Sequence, residues 1–169
     1  FNLMERVLSG EKKVQIKVPG SLKTRILQKG KATGPIWGGN ITLLVNRLGT
    51  SHPLNTKGSI LFLEDIDEYL YSFERMLIQM KAAGMFEKIN GLIIGELEDM
   101  KDQEIEFGRS PDQIILDICG DLDIPIISNF PCGHGKYQAT LPLSLNAEID
   151  TSNKEGMVTI LDSAVDIKA

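Results

Sequence analysis

The sequence predicts an α/β domain with a small parallel sheet, a second antiparallel sheet and flanking helices. Three observations carry that expectation. Residues 59–63, 91–95 and 124–128 are short, nearly continuous apolar runs, as in parallel strands covered on both faces. Between the first two runs, Ile66, Tyr69, Leu70, Phe73, Met76, Leu77 and Met80 recur at steps of three and four, the stripe of an amphipathic helix. Residues 13–18, 141–150 and 157–161 alternate or read as short half-buried strands around that centre. Strand-helix-strand-helix-strand implies right-handed crossovers, and the flanking segments imply the antiparallel layer.

The remaining elements follow in order. Residues 1–8 form a short entering helix, and Pro19-Gly20-Ser21 forms a turn. Residues 25–33 read as one extended segment, and residues 34–40 as a glycine-rich loop. A short buried helix over 41–48 is ended by Gly49, and the long helix is ended by Ala83-Gly84. The last helix spans 111–119, with Ser110 as N-cap, Pro111 at the first position and Asp112 in the first turn.

Composition narrows the function classes. The chain has 169 residues, enough for one domain with its own core, and its net charge of −5 argues against a phosphate-backbone binder, so no nucleic-acid partner is expected. Cys119 and Cys132 are too few for a disulfide scaffold, which points to a reducing, cytoplasmic setting. With His52 and His134 as the two histidines, no structural zinc is expected, and no other metal or cofactor. No apolar run approaches the ~20 residues of a membrane span, and the first residues lack a basic-then-apolar leader. The chain opens on Phe1 in mid-pattern, so it is expected to be a piece of a longer protein.

In open parallel sheets, ligands bind beyond the carboxyl ends of the strands. Here the first central strand runs into Glu64-Asp65, the second into Glu96, and the third into residues 129–136, which include Gly133-His134-Gly135. An imidazole on such a bare loop, oriented by a carboxylate, is a general-base arrangement. A surface turn with an idle histidine fits the same residues, and both readings stand at this point. Asp65 is the better cap for the following helix, which leaves Glu64 free; Glu96 is a second candidate acid. Trp37 beside Gly38-Gly39 either lines a pocket or belongs to the core. Arg75, off the apolar stripe, is expected at the surface in an ion pair. No Gly-x-Ser-x-Gly elbow occurs, so no nucleophile is evident.

Several ordered motifs resemble one family. Gly38-Gly39-Asn40 with Leu48-Gly49-Thr50 comes first, then Ile60-Leu61-Phe62-Leu63-Glu64-Asp65-Ile66, then Tyr71, Arg75 and Met76. Gly91-Leu92-Ile93-Ile94-Gly95 follows, and Pro131-Cys132-Gly133-His134 with Leu141-Pro142-Leu143 closes the set, with Ser144 where glycine is usual. Together they resemble the LD-carboxypeptidase family (peptidase family S66) from Lys31 to about Asp150. The resemblance implies that residues 1–169 are the C-terminal, Glu- and His-bearing domain of a two-domain bacterial serine hydrolase, similar to the swivelling β/β/α fold. Glu64 would be the triad acid and His134 the base, with Trp37, Gly38, Gly39 and Asn40 as substrate-binding residues. The N-terminal domain, absent from this chain, would supply the serine in a motif resembling Gly-Tyr-Ser-Asp, and the oxyanion hole. Members cleave the amide between a diamino acid and terminal D-Ala in murein tetrapeptides during cytoplasmic cell-wall recycling, and a branch detoxifies microcin-like peptide-nucleotides. The partners implied are the murein peptide and the N-terminal domain; a homodimer is left open. Two other classes compete: a phosphohistidine carrier, whose His134 would lack a carboxylate partner, and a non-catalytic swivelling binding module.

Overall fold

The computed structural model describes residues 2–152 and 157–165; Phe1, at the start of the expected first helix, lies outside them. In chain order the elements are α1 (Asn2–Leu8), β1 (Val14–Ile16), β2 (Arg25–Gln28), β3 (Lys31–Asn40), α2 (Ile41–Asn46), β4 (Ile60–Ile66), α3 (Leu70–Ala82), β5 (Gly91–Glu98), α4 (Pro111–Cys119), β6 (Ile126–Gly133), β7 (Asn146–Asp150) and β8 (Val158–Ile160). The strands are ordered β1-β8-β7-β3-β4-β5-β6-β2. Strands β3 to β6 are parallel; β1, β8 and β7 run antiparallel along one side, and β2 closes the other edge antiparallel to β6.

The parallel and antiparallel layers share one strand. Residues 31–35 of β3 pair with β7, and residues 36–40 pair with β4. The glycine-rich segment is therefore a fourth parallel strand, not the expected loop. Its glycines read as a loop because glycine weakens strands, yet here close approach demands one. A Cβ on Gly38, at φ +141°, would lie 1.8 Å from the Phe62 carbonyl oxygen. The expected extended segment over 25–33 also divides: β2 and β3 lie on opposite sides of β4, β5 and β6.

Alternation along the strands builds two cores. Leu61, Leu63, Leu92, Ile94 and Ile126 face α2, α3 and α4, meeting Leu44, Phe73, Met76, Leu77, Ile114 and Ile118. On the other side, Ile36, Ile60, Phe62, Ile93 and Ile127 pack with Val14, Ile16, Ala147, Ile149, Val158 and Ile160 of the antiparallel strands. This is the β/β/α layering that the family resemblance implied. The long helix begins later than its stripe suggested. Ile66 is the last residue of β4, and Tyr69 is an exposed N-cap without a side-chain cap bond. Helix α4 starts as expected, with a full capping box between Ser110 and Gln113. Strand β7 is shorter than the expected 141–150, beginning only after Ser144 turns the chain at φ +71°.

The β7 end carries a charge anchor. Asp150 accepts hydrogen bonds from the Ser152 backbone N–H (2.9 Å), the Ser152 hydroxyl (2.6 Å) and Lys31 Nζ (3.0 Å). These donors hold its carboxyl down at about 2, the Ser152 bonds first and Lys31 after them. A carboxyl lowered on folding adds stability above its unfolded value of about 3.9, and that stability is lost as pH falls through the folded value. Asp150→Asn is expected to lower the urea midpoint at about pH 6, and the gap from the wild type should close near pH 2. An equal gap at both pH values would show that the carboxylate charge contributes nothing.

Candidate active site

The alternation that builds the cores also sorts the two acids at the end of β4. Leu61 and Leu63 face the helices, whereas Ile60 and Phe62 face the antiparallel side. Continuing the period turns Asp65 to the helix side and Glu64 away from it. Asp65 accordingly accepts from Asn40 Nδ2 (3.0 Å), the Thr42 N–H (3.1 Å), the Thr42 hydroxyl (3.1 Å) and the Ile66 N–H (2.9 Å). It secures the start of α2, not of the following α3 as the sequence suggested, because α2 lies on its face and the chain runs on through Ile66 before turning.

Glu64 meets the turn that follows β6. Its Oε2 lies 2.6 Å from His134 Nδ1. Glu64 is 7% exposed, while the His134 side chain is 46% exposed. An ionised carboxylate only accepts, so Nδ1 carries the hydrogen and donates it, leaving Nε2 as the ring's acceptor. Among the described residues Nε2 has no hydrogen-bond partner. The pairing removes the basis of the phosphohistidine reading, which required an imidazole without a carboxylate.

Small residues and a side-chain clamp set that geometry. A Cβ on Gly95 would stand 2.2 Å from the Cys132 carbonyl oxygen and 3.1 Å from Glu64 Cβ. The turn itself is tied by Gln138 Nε2, which donates to the carbonyls of Gly133 (2.6 Å) and Gly135 (2.9 Å), and by the Ala139 N–H, which donates to the Pro131 carbonyl (2.6 Å). Sequence reasoning missed Gln138. A polar residue four positions past a histidine carries no signal until the turn is folded.

Glu96 joins the same edge through a bulge. Between Leu63 and Asp65 β4 advances two residues, while β5 advances three, from Ile94 to Leu97. The extra residue lets Leu97 pack on the helix-side core while Glu96 reaches the His134 turn. Glu96 is 4% exposed, and burial raises its carboxyl above the usual glutamate range, with the Tyr137 N–H partly opposing and the Glu98 charge adding to the rise. Burial also pushes the Cys132 thiol up to about 11, with Glu64 adding to it, so the thiol stays neutral and is no nucleophile.

The remaining sequence candidates sit beside this edge. Asn40 is the register partner of Glu64 on β3. Both ends of its amide are engaged in the fold, Oδ1 accepting from the Leu43 N–H (3.1 Å) and Nδ2 donating to Asp65. Gly38 is packed against Phe62, whereas nothing lies within 4 Å of a Cβ built on Gly39. Trp37 is half-buried and joins neither core cluster, so the core reading does not hold for it. Arg75 is exposed, lying over the Tyr71 ring and donating to the Ser72 hydroxyl (3.4 Å), and among the described residues it is not in the expected ion pair. Among the described residues no group of three His, Cys, Asp or Glu is arranged to hold a metal ion, and no helix is long and apolar enough to cross a membrane.

The family model described as the LD-carboxypeptidase C-terminal domain matches residues 33–149. The chain belongs to the LD-carboxypeptidase family. It is 32% identical over 132 residues to the probable murein peptide carboxypeptidase of Bacillus subtilis (strain 168), covering 78% of this chain and 41% of that protein. It is 31% identical over 133 residues to the microcin C7 self-immunity protein MccF of Escherichia coli, covering 77% and 38%. Among solved structures, the muramoyltetrapeptide carboxypeptidase from Oxalobacter formigenes superposes with a TM-score of 0.80 at 27% identity, over 95% of this chain and 54% of that one. This LD-carboxypeptidase domain thus spans 38% to 54% of the length of these relatives.

Gly95 offers a direct test of the packing. Gly95→Ala sets a methyl group against the Cys132 carbonyl, and overpacking of this kind costs about 1–3 kcal/mol. A fall of that size in unfolding free energy is expected by urea titration, with loss of the downfield Nδ1 proton of His134 in NMR. Wild-type stability together with a retained proton signal would refute the packing account.

Proposed function

We propose that this chain is the C-terminal domain of a serine-type LD-carboxypeptidase. The whole enzyme hydrolyses the amide between the diamino acid and the terminal D-Ala of murein tetrapeptides, with Glu64 as the orienting acid and His134 as the general base. The observation that carries the reading is the 2.6 Å bond from His134 Nδ1 to the buried Glu64 carboxylate, with Nε2 left to accept a proton. Trp37, Gly38, Gly39 and Asn40 line the neighbouring strand end on this reading, with the open space at Gly39 admitting substrate.

The chemistry follows from the ring's two nitrogens. His134 Nε2 takes the hydroxyl proton of a serine supplied by the N-terminal domain, as the serine oxygen bonds to the scissile carbonyl carbon. Glu64 stabilises the imidazolium and holds its orientation. The imidazolium then gives the proton to the amide nitrogen, the C–N bond breaks and D-Ala leaves. Water, deprotonated by the same Nε2, releases the acyl group and restores the serine. Neither Cys119 nor Cys132 is in a disulfide, which fits a cytoplasmic site of action.

Nearly equal identity to the microcin self-immunity protein supports a second reading, a peptide-nucleotide hydrolase with the same machinery. Parallel assays on a murein tetrapeptide and a peptidyl-nucleotide separate the two by the ratio of kcat/KM. This chain by itself is expected to release no D-Ala, since among the described residues no nucleophile is hydrogen-bonded to Nε2. Joined to its serine-bearing domain, Glu64→Gln should lower kcat about 10²–10⁴-fold with KM little changed. Turnover by the isolated chain, or full activity in the Gln variant, would defeat the assignment.

A further inference from the structure

We propose that Glu96 is the positioning residue of the His134 turn, acting as a neutral carboxylic acid wedged beneath Gly135. The proposal deepens the reading above, since it concerns the support of the same base. Three geometric observations carry it. First, the bulge in β5 delivers the Glu96 side chain to the His134 turn, where it is 4% exposed. Second, a Cβ on Gly135 would lie 2.2 Å from the Glu96 carboxyl carbon and 2.4 Å from each oxygen. The carboxyl group therefore occupies the space that any side chain after His134 would need, and glycine lets the turn rest on it. Third, Oε2 is buried with no hydrogen-bond partner among the described residues, while the Tyr137 N–H lies within reach of the carboxyl group.

A buried anion with one empty oxygen is costly, whereas a neutral acid in the same place is much less so. The charges around it point the same way. Glu98 on β5 is an acidic neighbour, and Cys132 on β6, whose thiol both Glu64 and Glu96 push up, is neutral. Of the two basic groups in the turn, His134 is already committed to Glu64 and Lys136 Nζ lies over the Tyr137 ring. Protonation on Oε2 leaves one carboxyl oxygen to accept from Tyr137 and leaves Glu64 as the carboxylate in contact with the imidazole. The device acts through placement: it holds residues 133–137 at the height where Nδ1 meets Glu64.

The test uses the chain itself, so its outcome is independent of whether murein peptides are the substrate. Glu96→Gln copies the neutral acid in shape, with its amide oxygen toward Tyr137 and its NH2 in place of the hydroxyl. The downfield Nδ1 proton of His134 is expected to persist in Glu96→Gln and to be lost in Glu96→Ala. In the wild type, the ¹³C resonance of the Glu96 carboxyl should titrate above the range of ordinary glutamates. In Gly135→Ala the new methyl group displaces the carboxyl group and the Nδ1 signal should again be lost, a second route should Glu96→Ala fail to fold. Loss of the signal in Glu96→Gln, or a Glu96 carboxyl that titrates in the ordinary range, would overturn the neutral-acid proposal. Retention of the signal in both Glu96→Ala and Gly135→Ala would overturn the positioning role.

Discussion

A carboxylate at the end of a buried parallel strand must be paired or neutralised, and that constraint organises this domain. Glu64 lies two residues before the end of β4, and the strand residues before it are all buried. Its charge cannot reach bulk water, so a partner has to come to it. The His134 ring does so from the next strand but one. Everything between is kept small or bent to permit the approach: Gly95 has no side chain to stand between, Gly133 takes φ +133°, and β5 and β6 both slip register beside them. Burying an isolated carboxylate costs several kcal/mol, so the pair is a condition of Glu64 lying buried in this strand.

The two-sided packing explains why the pair sits at the rim. Helices cover one face of β3 to β6, and the antiparallel strands cover the other, through β3, which belongs to both pairings. Side chains in the middle of the parallel strands therefore have no route to solvent. Only the carboxyl ends, past the last apolar layer, leave space for polar groups, and there Glu64, Glu96 and the His134 turn converge. Asp65 shows the same period from the other side. One residue on, it faces the helices and spends all its hydrogen-bonding capacity on α2 and its own strand.

What was legible in the sequence was whatever depends on periodicity and local chemistry. The apolar runs from Ile60 and from Gly91 lie in strands, the stripe from Leu70 to Met80 lies in α3, and the Ser110-Pro111 start caps as its residues dictate. Placing Glu64, Glu96 and His134 on one edge needed only the rule about strand ends. The misreadings have a common origin in contacts between distant segments. Residues 34–40 read as a loop because nothing local tells that Gly38 must pass under the Phe62 carbonyl. Asp65 read as the cap of α3 because the next helix in sequence was α3, whereas the helix on its face was α2. The β5 bulge, which decides where Glu96 points, has no signature in the residues 91–98 themselves. Gln138 acts only through a turn that folds back on Gly133 and Gly135.

The Glu64–His134 pair is a satisfied resting arrangement, and on the proposed function that bears on how the site is divided between domains. The Glu64–His134 pair is satisfied within this chain, so the domain needs no other domain to keep the charge buried. The half-exposed ring leaves Nε2 accessible, and water screens its field. On the proposed function, docking a hydroxyl against Nε2 expels that water, and the electrostatic hold of Glu64 on the ring strengthens as the imidazolium forms. The proton transfer then gains from closure what the resting domain does not spend on it. That gain depends on the ring already pointing correctly when the other half arrives, and so on the clamps around residues 133–138: the Gln138 amide, the Pro131 carbonyl and the Glu96 carboxyl beneath Gly135.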